Sequence, residues 1–545
     1  MDTLASSKVQ SWLSWFLRGL LIFGFLILVA RLIELQLIKT DYYQILANGN
    51  RVRRVPIIAA RGDILARGGE VIADSKNIRS WVTFSAEEGY VKTRNLDGAP
   101  EEEIITEAER RYINSTAFAH LTGYLNEVDE AELGKIDPQC LGRGPKSLGS
   151  LVGRTGLEEY YQCSLSGYDG EELIEVDAQG KRIRSLGRRN PVQGENLETS
   201  IDLGLQNKVA QVMEGINGAV VASDEYGEIL ALFSSPSFDA NLLLNPNQNE
   251  KVLKRLFSDS DLPFFNRVIA GSFPPGSVYK PLIALAALEE EAIDSNYTFE
   301  DTGQIILKTL YGTFTYSNWY FTQYGGVEGK VDLVRAIARS TDTFFYRVGE
   351  LLGIDNIVSW SKLFGLGEIT GIDLPGEIKG LMPSPEWKEE VKNEKWFLGN
   401  TYHLAIGQGD LSLTPIQINS LTSTIASKGK LCQPTIAGNE SCDKLKIDKE
   451  SIKEVTLGMI AVCEEDGTGF TFFDFPEEVA CKTGTAETFD KEEPHAWFTM
   501  FAPVEFPEIV LTVLVENGGE GSKVAGPIAR EIMDYWFGFE TVQDD

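Results

Sequence analysis

Histidine is scarce in this chain of 545 residues. His120, His403 and His495 are the only three, and no two stand at metal-ligand spacing, which argues against a zinc centre or a histidine-based triad. Cysteine is thin as well: six residues, Cys140, Cys163, Cys432, Cys442, Cys463 and Cys481, without the density of a disulfide scaffold or a C-x-x-C knuckle. Cys432 and Cys442 are placed to pair across a loop if the domain is extracytoplasmic, and buried free thiols are the other reading. Positive charge is outweighed, with 50 Lys and Arg against 80 Asp and Glu and a formal net charge of −30. That balance opposes phosphate contacts and excludes nucleic acid as the expected partner. No cofactor and no metal is expected. At this length several domains are expected.

Long apolar runs are missing except for one. Residues 12–38 are almost wholly apolar, with Arg18, Arg31 and Glu34 towards the ends. About 20 residues of helix span a bilayer, and end charges reach the interface. A cleaved signal peptide would carry a shorter run, and Leu28-Val29-Ala30 lacks the small residue a cut requires three places upstream. An uncleaved transmembrane anchor after a short cytoplasmic tail, residues 1–11, is therefore expected. Lys39, Arg51, Arg53, Arg54 and Arg61 follow the span whereas Lys8 and Arg18 precede it, so charge bias points the bulk of the chain inwards. The chemistry below requires it outside.

Residues 39–196 form a first, β-rich region. Arg61-Gly62-Asp63-Ile64-Leu65, a Gly-Gly turn and Glu70-Val71-Ile72-Ala73 read as short strands around a turn. Residues 85–147 read as an insertion, with a helical patch near 101–111. Residues 197–540 form the second domain, before a short tail, 541–545. It opens with a hairpin, 219–222 and 229–232, and ends with strands at 479–485, 496–502 and 509–515 and a helix at 524–536. Helices are expected between, at 278–290, 333–352 and 416–426. Strands at both ends of a domain with helices between them imply one antiparallel sheet covered by helices, an α+β fold.

Ser-x-x-Lys occurs four times, at Ser277/Lys280, Ser359/Lys362, Ser427/Lys430 and Ser441/Lys444. Only the first stands at a helix N-terminus, because Phe273-Pro274-Pro275-Gly276 forbids helix before it and an apolar helix follows. Residues three apart share a helix face, which sets Lys280 beside the Ser277 hydroxyl as its proton acceptor. Ser340-Thr341-Asp342 precedes an aromatic helix; alone, such a Ser-x-Asp is usually a helix cap. Lys482-Thr483-Gly484-Thr485 is the only Lys-Thr-Gly, on an expected strand, where glycine marks a close approach.

In this order and context the three elements resemble the penicillin-binding protein and serine β-lactamase superfamily. Longer matches are similar to class B penicillin-binding proteins: Pro275-Gly276-Ser277-Val278-Tyr279-Lys280-Pro281, Gly407-Gln408-Gly409 with Leu413-Thr414-Pro415-Ile416-Gln417, Lys482 to Glu487, and His495-Ala496-Trp497-Phe498. Arg61 to Leu65 and Gly153-Arg154-Thr155-Gly156-Leu157-Glu158 are similar to that family's pedestal, and Ser-x-Asp in place of Ser-x-Asn is similar to its elongation-type subgroup. The resemblance implies a D,D-transpeptidase that cross-links peptidoglycan stem peptides and is acylated by β-lactams. Ser277 would be the nucleophile, Lys280 its base, Ser340 a proton relay, Asp342 an orienting group, and Lys482 a second cation. Lys482 with Thr483, Gly484 and Thr485 would hold the substrate's terminal carboxylate, and the N–H groups of Ser277 and Thr485 would form the oxyanion hole. It further implies a cytoplasmic-membrane protein with a SEDS-type glycan polymerase as partner. The alternatives are a D,D-carboxypeptidase and a non-catalytic β-lactam sensor or scaffold. A β-lactamase is disfavoured because no Glu-x-x-Leu-Asn supplies a hydrolytic base.

Overall fold

The computed structural model describes residues 5–85, 89–100, 104–138, 140–141, 144–146, 149–177, 182–310, 312–488 and 493–539. The expected tail 541–545 lies outside the described residues. The chain divides into two compact units, one of residues 1–60, 79–107 and 167–193, the other of residues 61–78, 108–166 and 194–545.

In the first unit a helix, Ala5–Ile33, runs into a π-helical turn, Glu34–Ile38. Within it Trp12–Ile38 is long and apolar enough to cross a membrane, and none of that window is buried. A second helix, Thr40–Arg51, leads into an antiparallel three-stranded sheet of Val52–Ile57, Gly170–Val176 and Arg182–Arg189. The arginines of the exposed third strand are answered by acids of the central one: Arg182 meets Glu172 at 2.6 Å and Arg184 meets Glu175 at 2.7 Å. Opposite charges on facing strands are the sheet's counterpart of helical i,i+4 pairs.

In the second unit Ile64–Leu65 pairs antiparallel with Val71 and Ala73 around the expected turn, and Leu197–Glu198 joins it in parallel. The two pedestal-like motifs meet here around a fully buried carboxylate. Glu158 takes Arg61 Nη2 at 2.7 Å and Arg110 Nε at 2.6 Å, and Arg110 also donates to the Gly62 carbonyl. The helix expected near 101–111 is instead a strand, Ile104–Tyr112. Its inward positions at the end are Arg110 and Tyr112, both buried, so a charged residue occupies a core position because Glu158 neutralises it. That inversion hides strand alternation in the sequence.

The same unit holds the large α+β core. Its principal elements are β1 (Gly218–Ser223), β2 (Ile229–Ser235), α1 (Lys280–Glu289), α2 (Leu333–Ala338), α3 (Asp342–Leu352), α4 (Pro415–Ala426), α5 (Lys449–Val462), β3 (Ala480–Ala486), β4 (His495–Ala502), β5 (Ile509–Val515) and α6 (Ala525–Phe537). The sheet order is β2-β1-β5-β4-β3, antiparallel throughout. The first hairpin thus meets the last strand, Ala219 opposite Leu514, as the α+β expectation requires. Every residue of α4 is buried. Its start is written in the sequence: Thr414 caps it, Pro415 is its first residue, and Gln417 completes a capping box. Its polar side chains are met by the sheet, Thr422 by Thr499 at 2.7 Å and Asn419 by the Val510 carbonyl at 3.1 Å, since an unpaired buried polar group is costly.

Candidate active site

β3 is an edge strand, so one side of its backbone is open for another partner. Lys482 is its third residue and has no exposed surface. Against this edge lies the segment bearing Ser277. Pro274 accepts the Trp497 indole N–H at 2.9 Å, and Gly276 N–H donates to the Gly407 carbonyl at 2.9 Å. The approach demands glycine. At Gly276, with φ +57°, a Cβ would sit 2.8 Å from the Thr485 carbonyl oxygen; at Gly484 it would sit 3.0 Å from that of Pro275. The consequence is that the Ser277 and Thr485 backbones lie side by side. Ser277 itself is in a 3-10 turn, Gly276–Tyr279, and Lys280 is the first residue of α1.

Ser340 arrives by a different device. The Thr341 N–H bonds the Ala336 carbonyl and the Ser340 N–H bonds that of Ile337, the paired bonds of a Schellman turn closing α2. Ser340 holds the left-handed position with φ +55°, where glycine is the usual residue and a serine costs of order 1 kcal/mol. Asp342 follows at once as the first residue of α3.

These elements bring two lysines to one hydroxyl. Lys280 Nζ donates to the Ser340 carbonyl at 2.8 Å, Ser340 Oγ at 3.1 Å and Asp342 Oδ1 at 2.7 Å. Lys482 Nζ donates to Ser340 Oγ at 3.0 Å and to the Thr483 carbonyl at 2.9 Å. Burial pushes the Lys280 amine below its ordinary value, and the Asp342 carboxylate opposes that shift. Burial pushes Lys482 further down, and the neighbouring Lys280 adds to it. Two buried amines bridged by one hydroxyl do not both stay charged. Asp342 holds a proton on Lys280 more firmly than Lys482 holds one, so Lys280 is the neutral base only above its own lowered pKa and is stabilised as soon as it takes up a proton.

The Lys280 amine is therefore drawn towards Asp342 and Ser340, and among the described residues it makes no hydrogen bond to the Ser277 hydroxyl. The sequence expectation set Lys280 against Ser277 by helix spacing alone; the ion pair with Asp342 at 2.7 Å accounts for the difference. The Thr483 hydroxyl meets that of Thr468 at 2.8 Å, whereas Thr485 is exposed and its Oγ1 accepts from Gly521 N–H at 3.2 Å. His495 is structural: its Nδ1 accepts from the Asn517 N–H and its ring meets Phe273 edge-on.

Several contributors carry no sequence signal. Buried Asp301 accepts from Thr343 Oγ1 at 2.6 Å and Asn318 Nδ2 at 3.2 Å. Asn318 Oδ1 receives the Asp342 N–H at 3.1 Å, and the Trp319 N–H reaches Asp342 Oδ2 at 2.9 Å. Asp342 is thereby fixed at its backbone and at both oxygens. Gln408, by contrast, stands in the Gly407-Gln408-Gly409 match noted in the sequence, and it donates to the Thr485 carbonyl at 3.2 Å. Of the other Ser-x-x-Lys pairs, Ser359/Lys362 and Ser441/Lys444 are exposed, and Ser427 bonds its own turn at the Lys430 carbonyl. Among the described residues no cluster of metal-ligating side chains occurs.

Comparison with known proteins agrees with this geometry. Residues 217–534 match the penicillin binding protein transpeptidase domain, and residues 83–199 match the penicillin-binding protein dimerisation domain. The peptidoglycan D,D-transpeptidase MrdA of Haemophilus influenzae is 31% identical, with 96% of this chain and 90% of that protein covered. Among solved structures, Pseudomonas aeruginosa PBP2 in complex with WCK 5153 superposes with a TM-score of 0.71 at 31% identity, over 89% of this chain and 96% of that one. Helicobacter pylori PBP2 in complex with MreC gives 0.75 at 27% identity, over 90% and 99%. A chain of a peptidoglycan synthase complex gives 0.74 at 27% identity, over 99% and 100%. With a family domain matched over more than half its length and a relative above 30% identity along nearly all of it, the chain belongs to the penicillin-binding protein transpeptidases.

Proposed function

We propose that the chain is a peptidoglycan D,D-transpeptidase of cell elongation in which Ser277 is the nucleophile. The observation that carries this is the convergence of Lys280 and Lys482 on the Ser340 hydroxyl, beside a serine whose backbone lies against the edge of β3. Ser277 Oγ attacks the penultimate D-Ala carbonyl of a stem peptide. Its proton passes to the Lys280 amine, and the resulting ammonium has three acceptors ready for its three N–H bonds: the Ser340 carbonyl, Ser340 Oγ and Asp342. The Ser277 and Thr485 N–H groups stabilise the oxyanion, each worth about 10²–10³ in rate. As the C–N bond breaks, the terminal D-Ala nitrogen takes a proton through Ser340, whose hydroxyl touches both amines. The Ser277 ester is then attacked by an amine of a second strand. The new C–N bond replaces the C–Oγ bond, and the amine's proton returns to Ser277. Lys482, Gly484 and the exposed Thr485 hydroxyl face the substrate's terminal carboxylate. Thr483 contributes through its carbonyl hold on Lys482.

Residues 12–38 anchor the protein in the cytoplasmic membrane, with residues 1–11 inside and the domains that follow the span outside. The six cysteines support this orientation, since all pair as Cys140–Cys163, Cys432–Cys442 and Cys463–Cys481, and such bridges persist where the environment oxidises. The likeness to a chain of a peptidoglycan synthase complex supports a SEDS-type glycan polymerase as partner. We further propose residues 39–196 as the pedestal and 197–540 as the transpeptidase domain. Fluorescent penicillin should label the wild type and not Ser277→Ala; undiminished label in the mutant refutes the nucleophile. Formation of cross-linked dimer from stem peptides, rather than release of D-Ala alone, separates the transpeptidase from a carboxypeptidase.

A further inference from the structure

The disulfide Cys463–Cys481 stands directly behind the candidate site. Cys481 is the residue before Lys482 in β3, and Cys463 closes the C-terminus of α5; their Cα atoms are 6.2 Å apart, and both residues are buried. The loop between them is held to the bridge by shape: a Cβ on Gly469 would meet Cys481 Sγ at 2.9 Å and Cys463 Sγ at 3.1 Å. This loop reaches both flanks of the catalytic cluster. On one side the Thr468 N–H donates to the Ala338 carbonyl at 3.2 Å, and Arg339 Nη1 donates to the Asp466 carbonyl at 2.8 Å; Ala338 and Arg339 immediately precede Ser340. On the other side Thr468 Oγ1 meets Thr483 Oγ1 at 2.8 Å, and Thr483 immediately follows Lys482.

β3 has a neighbouring strand on one side only, so its position along the cleft is fixed by β4 and by whatever else grips the strand. The bridge and its loop provide the grip, and they apply it to the Ser340 turn as well. A catalytic contact such as Lys482 Nζ to Ser340 Oγ, at 3.0 Å, tolerates little displacement, because misplacement by about 1 Å costs on the order of 10²-fold in rate. The other two bridges make no such connection. Cys432–Cys442 joins the strands of a two-stranded hairpin, and Cys140–Cys163 lies in the pedestal-like region.

We propose that Cys463–Cys481 is a positioning disulfide of the active site, and that the protein acquires full acylation capacity only once this bridge is oxidised. The step is thiol–disulfide exchange: an oxidised disulfide partner accepts two electrons and two protons from the two thiols, leaving as a dithiol while the S–S bond forms here. The inference rests on the assignment of Ser277, Ser340, Lys280 and Lys482 above.

The test is the second-order rate of acylation of the full-length protein by fluorescent penicillin, measured across pH together with thermal unfolding. Cys463→Ser/Cys481→Ser should fall at least about tenfold below wild type, with the acid limb of the pH profile displaced. Cys432→Ser/Cys442→Ser should stay within about twofold, whatever its loss of stability. A folded Cys463→Ser/Cys481→Ser protein with the wild-type rate and profile overturns the proposal, as does an equal loss in the control pair. Should that double variant fail to fold, Thr468→Val decides. It keeps the bridge and removes only the hydroxyl contact to Thr483, and it should lower the rate several-fold and shift the profile at an unchanged melting temperature; an unchanged rate and profile overturn the proposal. Failure of the underlying assignment is separable, because it shows as label on Ser277→Ala.

Discussion

At the scale of single residues the site turns on the charge of Asp342. A neutral amide there would accept the same Trp319 N–H through its oxygen but would leave Lys280 without a counter-charge. Burial lowers the Lys280 pKa, and Asp342 holds it up, so Asp342→Asn should let it fall further. Acylation needs the unprotonated amine and rises with pH through that pKa. The acid limb of the acylation profile should therefore move to lower pH, by about one unit or more, whatever happens to the plateau. An unmoved limb, or one displaced upwards, would mean that Lys280 is not the titrating base. His120 gives a second residue-scale expectation, on stability. Burial and nearby Arg267 hold its imidazole down to about 4, against the Pro263 carbonyl, which favours the charged form. A depressed histidine stabilises the fold while it is neutral in the unfolded chain too, and that contribution is lost as pH falls from about 6.5 towards 4. Its full size is roughly 3 kcal/mol. The ring meets Phe238 edge-on at 5.4 Å, so His120→Phe keeps the packing. Melting temperatures between pH 7 and 4.5 should decline less in that variant than in wild type.

At the scale of elements the pedestal motifs act through one buried cluster. Glu158 is completely buried between Arg61 and Arg110, and it ties its own segment to two others distant in sequence. Removing one partner of such a group leaves an uncompensated charge and costs about 3–5 kcal/mol, so Arg110→Met should lower unfolding stability by that order, read by denaturant titration. A change below about 1 kcal/mol would mean that water reaches the cluster. The same cluster explains what the sequence conceals. Catalytic elements with local chemistry were legible: the Pro-Gly before Ser277, the Thr-Pro-x-Gln start of α4, and glycine in β3. The strand Ile104–Tyr112 was not, because Arg110 faces inward to meet Glu158, and a charge in a core position reads as the polar face of a helix. Asn318 and Asp301 escaped for a related reason. Their role is a chain of hydrogen bonds between residues far apart in sequence, and nothing in their spacing announces it. Cys432 and Cys442 face each other across a hairpin, close enough in sequence to raise a pairing as one of two readings beside buried free thiols. Cys463 and Cys481, 18 positions apart, become neighbours only once α5 packs behind β3.

At the scale of the whole molecule, the membrane-length helix and the candidate site belong to different compact units of the chain. Every described hydrogen bond that orients Lys280, Ser340, Asp342 and Lys482 is made within the second compact unit. The apolar helix of the first unit buries none of its membrane-length window. Its exposed Trp, Phe, Leu and Ile side chains are instead suited to lipid, where each apolar group removed from water contributes to retention. Deleting residues 1–38 should therefore release the protein from the membrane fraction and leave a folded chain. The rate of acylation by fluorescent penicillin should remain within about twofold of the full-length protein in detergent, since no group that sets the lysine pKa values or the oxyanion hole is lost. A truncated protein that stays folded yet loses acylation by tenfold or more would show that the anchor takes part in organising the catalytic unit.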